Sequence, residues 1–156
     1  KLEMKYTDTK REGLNIDEPT TLMEKKRPAE RLAKVWDIFV FACYAGRWYI
    51  DVKGLTMSDI VKGNDGRMWI DTERDKTGVD VHVPLLDIPM AILEKHADIT
   101  SEERLLDIPA NQKVNDYLKE IAAMCGIEKP LTFHMGRHRI LSLRLKMSNL
   151  QNLIAV

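Results

Sequence analysis

The segment between Leu32 and Cys43 carries the most regular apolar pattern in the chain. Apolar side chains recur there at the i, i+3, i+4, i+7 spacing of one helical face: Leu32, Val35, Trp36, Phe39, Val40 and Cys43. A helix with such a face must bury it against other elements. The pattern therefore predicts an amphipathic core helix that ends near Ala45 and Gly46, against which the rest of the chain packs.

A β-hairpin is predicted in the middle of the chain. Residues 67–72 and 79–83 alternate in polarity on either side of the turn-like sequence 75–78. The sequence Asn64-Asp65-Gly66 predicts a turn just before the hairpin. These segments predict a small antiparallel sheet.

Further helices are predicted on both sides of this sheet. Short helices are expected at 19–26 and 90–96, and a longer amphipathic helix through 114–125 is capped by Gly126. A last helix is expected from 133 to about 146. The predicted fold class is α+β, mainly α-helical with a small antiparallel β-sheet.

The length of 156 residues fits one domain. Residues 1–17 are polar and lack a period, which predicts a connector or disordered arm, so the domain is expected to span 18–156. Cys43 and Cys125 lie within apolar segments, which is typical of reduced thiols in a core. Without a membrane-spanning run, signal peptide or zinc spacing, we expect a cytoplasmic protein with no metal site.

Charge is balanced overall and uneven locally. The chain has 24 Lys and Arg against 24 Asp and Glu, so its net charge is no argument for or against nucleic acid. Residues 128–146 have a net charge of +4, with Glu128 opposed by Lys129, Arg137, Arg139, Arg144 and Lys146. That stretch is suited to meet a polyanion.

The motif His134-x-x-Arg137 lies within this basic stretch. On a helix, residues three apart share a face, so both side chains can reach the same group. A guanidinium matches two phosphate oxygens, and an imidazole donates a hydrogen bond or a proton near neutral pH. The pair therefore suits a phosphate, although the motif alone is more often a capped helix end or a salt-bridged surface.

Two more cations are candidates for the same role. Lys76 lies at the predicted hairpin tip, where an ammonium can reach a phosphate or is simply solvated. Arg47 follows the helix-breaking Gly46 and places a charge near helix-terminal amides. Asp51 either pairs with Arg47 or caps the following turn.

Four other side chains near these candidates have ordinary explanations. The aromatic pair Trp48 and Tyr49 is expected to pack rather than to recognise bases. His82 and His96 are expected at the surface or at a helix end.

Four segments, in this order, resemble the catalytic domain of tyrosine recombinases, the phage-type integrases. They are residues 31–46, Asp51-Val52-x-x-Leu55, Asp75-Lys76-Thr77-Gly78 followed by Val-Pro-Leu, and residues 131–138. Residues 111–113, followed by Tyr-Leu-Lys-Glu-Ile, look like the integrases of Bacteroides-type mobile elements. The resemblance extends from about residue 31 to residue 140.

The resemblance implies a DNA strand-exchange enzyme that forms a 3′-phosphotyrosyl link and needs no cofactor or metal. It implies that His134 and Arg137 bind the nonbridging phosphate oxygens, and that Lys76 protonates the departing 5′-oxygen. His138 would order the local network. The implied DNA-binding residues are Lys76, Arg137, His138 and Arg139.

The implied partners are double-stranded DNA at recombination sites and other integrase subunits, with a tetramer on DNA. Neither a membrane nor a small-molecule substrate is implied, and the expected location is the bacterial cytoplasm, at the nucleoid.

The sequence departs from the family pattern in two places. Trp48 stands where the family has its first catalytic arginine, and Arg47 lies one step earlier, a rotation of about 100° on a helix. The nucleophilic tyrosine should follow Arg137, whereas the last tyrosine is Tyr117. We therefore expect a domain truncated at its C-terminus that cleaves no DNA by itself. The alternatives are a noncatalytic DNA-binding or regulatory module and a helical protein-interaction domain.

Overall fold

The computed structural model describes Glu24, Lys26, residues 28–73, Gly78 and residues 80–99, 104–128 and 130–135. Within these ranges the elements are α1 (Glu30–Ala45), α2 (Tyr49–Gly54), β1 (Ile60–Lys62), β2 (Met68–Glu73), β3 (Asp80–Pro84), α3 (Asp87–Lys95) and α4 (Asn111–Met124). Short 3-10 helices occupy Met57–Asp59 and Ala97–Ile99. The prediction of a mainly helical chain with a small antiparallel sheet is confirmed.

Helix α1 is the centre of the core. Its predicted apolar stripe is buried, and so are Ile38, Phe41 and Ala42 outside that stripe. The helix contacts both α3 and α4, so more than one of its faces is covered. It ends as predicted at Gly46, where φ is 65° and the backbone N–H donates to the Ala42 carbonyl over 2.9 Å.

The sheet has the order β1-β2-β3, with antiparallel pairing throughout. Ile60, Ile70 and Val83 are paired across it, and Ile70 and Val83 are buried. The predicted hairpin corresponds to β2 and β3, and the predicted turn at 64–66 joins β1 to β2. Strand β1 was not predicted, because three residues are too few for alternation to stand out.

The ends of the helices agree with the predictions in part. Helix α4 is followed by Gly126 at φ 67°, as expected. Helix α3 begins at Asp87, so the predicted start at 90 was wrong. Pro89 lies within the first turn of α3, where a backbone N–H has no intrahelical partner and proline is tolerated.

Several predicted segments lie mostly outside the described residues. Of the predicted helix at 19–26, only Glu24 and Lys26 are described, and both are helical. Of the helix predicted from 133 to 146, residues 133–135 are described and are helical. The predicted arm at 1–17 lies outside the described residues altogether.

The expected positions of the two cysteines, within or against the apolar core, and of the two histidines are confirmed. Cys43 is buried and Cys125 half-buried, both as free thiols, and burial raises the pKa of Cys125. His82 is exposed on β3, where its Nδ1 lies 3.0 Å from Asp71 Oδ1. His96 ends α3. No helix in the described part of the chain is long and apolar enough to cross a membrane.

Candidate functional site

The structure locates two of the predicted site residues. Arg47 and His134 are described, whereas Lys76, Arg137, His138 and Arg139 lie outside the described residues. The two described residues belong to one neighbourhood, because Trp48, the chain neighbour of Arg47, contacts His134. The described part of the site is therefore built from the connection between α1 and α2 and from residues 131–135.

Arg47 lies in the short connection between α1 and α2. The left-handed conformation of Gly46 ends α1 and turns the chain, and the Arg47 N–H donates to the Ala42 carbonyl over 3.4 Å. The residue is 3% exposed and is the sole buried charged residue among those described. From an enclosed position, a guanidinium acts on a phosphate at the surface through its electric field rather than by direct contact.

Trp48 and His134 form a tilted pair of rings at the surface. Their ring centroids are 4.8 Å apart and their planes are inclined by 35°. Both residues are exposed, Trp48 by 37%. The Trp48 N–H donates to Asp51 Oδ2 over 3.4 Å, so Asp51 caps the start of α2, which was one of its two predicted roles.

A second aromatic contact joins the chain neighbours of these two residues. The rings of Tyr49 and Phe133 meet edge to face, with centroids 5.6 Å apart and an angle of 89°. The Tyr49 hydroxyl donates to the Pro109 carbonyl over 2.6 Å. Phe133 is 4% exposed and also meets Phe39 of α1 edge to face, at 6.3 Å. The expectation that Tyr49 packs is confirmed, whereas Trp48 remains exposed and contacts His134.

Asn115 of α4 holds the backbone of the same segment. Its Oδ1 accepts the Phe133 N–H over 2.9 Å, and its Nδ2 donates to Asn111 Oδ1 over 3.1 Å. Residue 133 is thus fixed from α1, α2 and α4, and His134 follows it directly. Sequence reasoning missed Asn115. Its only signal was an asparagine inside a helix, where this residue is a poor helix former.

This arrangement suits an anion better than a cation. An exposed imidazole contacts the chain neighbour of a buried guanidinium, while the Asp51 carboxylate caps α2. Among the described residues, no three His, Cys, Asp or Glu side chains are close enough to hold a metal ion.

Comparisons with known proteins bear on the fold. No protein-family model and no curated protein matches the sequence. The structure is similar to the XerH site-specific recombinase in a pre-cleavage complex with its difH substrate (TM-score 0.65, 16% identity, 86% of this chain and 43% of that chain). The chain has the fold of a tyrosine recombinase catalytic domain. The resemblance noted in the sequence and the architecture therefore agree.

Two other solved structures share this recombinase fold. XerA recombinase matches with a TM-score of 0.61 and 19% identity, over 85% of this chain and 50% of that chain. A lambda integrase(75-356) dimer bound to a COC' core site matches with a TM-score of 0.64 and 20% identity, over 86% and 50%. The chain thus spans half or less of the length of these recombinases.

Proposed function

We propose that this chain is the catalytic-domain part of a site-specific DNA recombinase of the tyrosine type, as found in mobile elements. The observation that supports the proposal best is the contact between Trp48 and His134 on a recombinase fold. That contact joins two segments that sequence reasoning selected separately as phosphate-binding. An exposed imidazole and a buried guanidinium then lie in one neighbourhood.

In the proposed reaction a tyrosine hydroxyl loses its proton to solvent as its oxygen attacks the scissile phosphorus, and the bond from phosphorus to the 5′-oxygen breaks. Lys76 gives a proton to that departing oxygen, while His134 and Arg137 neutralise the nonbridging oxygens. The 5′-hydroxyl of a second strand then attacks the same phosphorus, releases the tyrosine and restores a phosphodiester. Arg47 contributes through its field from its buried position.

We propose double-stranded DNA at recombination sites and further integrase subunits as the partners. Lys76, Arg137, His138 and Arg139 are the proposed DNA-binding residues. The XerH and lambda integrase structures hold DNA, the latter as a dimer, and for this protein a tetramer on DNA is proposed. The proposed location is the bacterial nucleoid.

DNA binding provides the first test. In a titration of a labelled duplex with the 156-residue chain, log affinity should fall linearly with log salt. Arg137→Ala should weaken binding to all sequences and lower that slope by about one unit. Arg31→Ala is the charge control, because it removes the same charge near the start of α1, where Arg31 is paired with Glu120.

An unchanged salt slope in Arg137→Ala would contradict the role of this residue. Salt-insensitive or absent DNA affinity in the unaltered chain would favour the helical protein-interaction domain instead.

Strand cleavage provides the second test. On a nicked suicide substrate the 156 residues should form no covalent adduct, since no tyrosine follows Tyr117. An adduct from these residues alone would show that the nucleophile is not a tyrosine that follows Arg137.

A noncatalytic DNA-binding module is the second candidate, because Trp48 replaces the arginine that the family pattern expects. The protein expressed from the whole gene separates the two functions. Loss of cleavage in Arg137→Ala, with binding reduced only by the one lost phosphate contact, supports the recombinase. Loss of binding, with no cleavage in either form, supports the module.

A further inference from the structure

We propose that Trp48 is a positioning residue, whose indole holds the imidazole of His134 in place at the surface by stacking. The inference rests on the proposed function for its consequence in DNA cleavage, and on the structure alone for the contact itself. It assigns a role to the side chain at which the sequence departs from the recombinase pattern.

The two rings form a tilted stack. A centroid separation of 4.8 Å and an inclination of 35° fall within the range in which aromatic rings attract one another. Trp48 is 37% exposed, whereas Trp36 in the core is 3% exposed. Because the Trp48 indole is partly at the surface, it contributes less to the core than the Trp36 indole does. Its contact with His134 is therefore a larger part of its total packing.

Both rings are carried by fixed backbone. Trp48 is the N-cap residue of α2, two residues after Gly46, and its N–H donates to the Asp51 carboxylate. His134 follows Phe133, which is held by Asn115, Phe39 and Tyr49.

Consecutive residues of one segment therefore meet consecutive residues of the other. The pair formed by Tyr49 and Phe133 lies in or against the core, and the pair formed by Trp48 and His134 lies outside it. The outer pair can be altered while the inner pair keeps the two segments together.

Stacking restricts the imidazole in the way that the proposed chemistry requires. An exposed histidine otherwise samples several rotamers, and each turns the ring nitrogens in a different direction. A ring lying on an indole keeps its nitrogens at the edge of the stack, where a phosphate oxygen can approach in the ring plane. Correct orientation before the reaction lowers the barrier, and a small misplacement is costly.

The direct test of the contact uses the 156-residue chain. In NMR spectra, the ring protons of His134 should carry the ring-current shift of the indole. Trp48→Leu should remove that shift, and Trp48→Phe should keep part of it. Ile50→Ala is the matched control, because Ile50 is on the same short helix and is 57% exposed. Unchanged His134 resonances in Trp48→Leu would overturn the proposal.

The functional test uses the protein expressed from the whole gene. Trp48→Leu should slow single-turnover cleavage of a suicide substrate by about tenfold, with little change in DNA affinity. Trp48→Phe should restore most of the rate, and Ile50→Ala should match the unaltered protein. Cleavage at the normal rate in Trp48→Leu, or equal losses in Trp48→Leu and Trp48→Phe, would contradict the positioning role.

The two proposals fail in different ways. If the unaltered protein neither binds nor cleaves DNA, the proposed function is wrong, while the NMR comparison still decides whether Trp48 holds His134. If cleavage depends on Arg137 and is indifferent to Trp48, the function stands and the positioning role fails.

Discussion

His134 owes its position to the residue before it. Phe133 is 4% exposed, and its backbone N–H donates to Asn115 Oδ1 over 2.9 Å. A buried N–H without a partner costs about 1–3 kcal/mol, so this amide acceptor has a measurable effect on stability. A single side chain of α4 thereby fixes the start of the segment that carries the candidate imidazole.

We expect Asn115→Ala to lower the free energy of unfolding by about 1–2 kcal/mol, because the Phe133 N–H loses its acceptor. Asn115→Asp keeps an oxygen in that place and should lose less. Urea denaturation at pH 7 measures both changes. Gln112→Ala, at an exposed position of the same helix, should stay within about 0.5 kcal/mol of the unaltered chain. A similarly small change in Asn115→Ala would contradict the assignment.

For single residues, the sequence predicts which side chains are candidates for binding a phosphate better than it predicts how those side chains are surrounded. His134 and the break at Arg47 were found because they lie in local patterns. The burial of Arg47 was not predicted, since it depends on which other segments pack around the end of α1. The bond from Phe133 to Asn115 spans 18 residues and leaves no periodic trace in the sequence.

Glycine determines where the longer helices end. After α4, the Gly126 N–H donates to the Ala123 carbonyl over 3.3 Å, and the Ile127 N–H donates to the Ala122 carbonyl over 2.9 Å. This is the Schellman pattern, which needs a left-handed residue at the glycine. Gly126 provides it at φ 67°.

Gly126→Ala should lower the free energy of unfolding by about 1 kcal/mol. A Cβ there would meet nothing within 4 Å, so the loss comes from backbone strain alone. Gly54→Ala is the control, because that site is equally open and lacks a positive φ, and it should be neutral or stabilising by about 0.4–1 kcal/mol. Thermal unfolding of both variants decides the matter, and equal losses would contradict the explanation.

The elements that sequence reasoning found are those with local signals. Helices α1 and α4 have long apolar patterns and a terminal glycine, and the hairpin has alternation around a turn. The start of α3 was placed three residues too late, since Pro89 was taken as a boundary although it is tolerated in a first turn. Strand β1 forms through its pairing with β2, and its own three residues do not signal it.

At the scale of the whole molecule, ion pairs join the elements that the core already holds together. Lys34 Nζ of α1 lies 2.5 Å from Asp107 Oδ2, just before α4, and Lys95 Nζ of α3 lies 2.7 Å from Asp37 Oδ2 of α1. Exposed pairs of this kind contribute little each. The pair of Lys34 and Asp107 adds a pH dependence to a stability that the apolar core provides.

The lowered pKa of Asp107 sets the direction of this pH dependence. Its hydrogen bond with Lys34 holds the pKa of the carboxyl below its ordinary value of 3.8. The contribution to stability is therefore complete above that value and is lost as the pH falls through the folded pKa. The side chain is 59% exposed, so the effect should stay below about 1 kcal/mol.

Urea denaturation between pH 7 and pH 2 tests this expectation. Asp107→Asn should be slightly less stable than the unaltered chain at pH 7, and the two should converge at the acid end. High salt should narrow the gap at pH 7, because the pair is exposed. A difference that is the same at both ends of the pH range would exclude the ion pair as its cause.

Helix α1 lies at the centre of the core and ends two residues before Arg47. Its fixed position in the core therefore determines where the candidate site begins. An insertion in a connection outside α1 leaves the register within α1 unchanged. Deleting one residue from α1 would rotate everything after it by about 100° relative to the core. A change in chain length is therefore tolerated outside α1 and disrupts the site when it falls within α1.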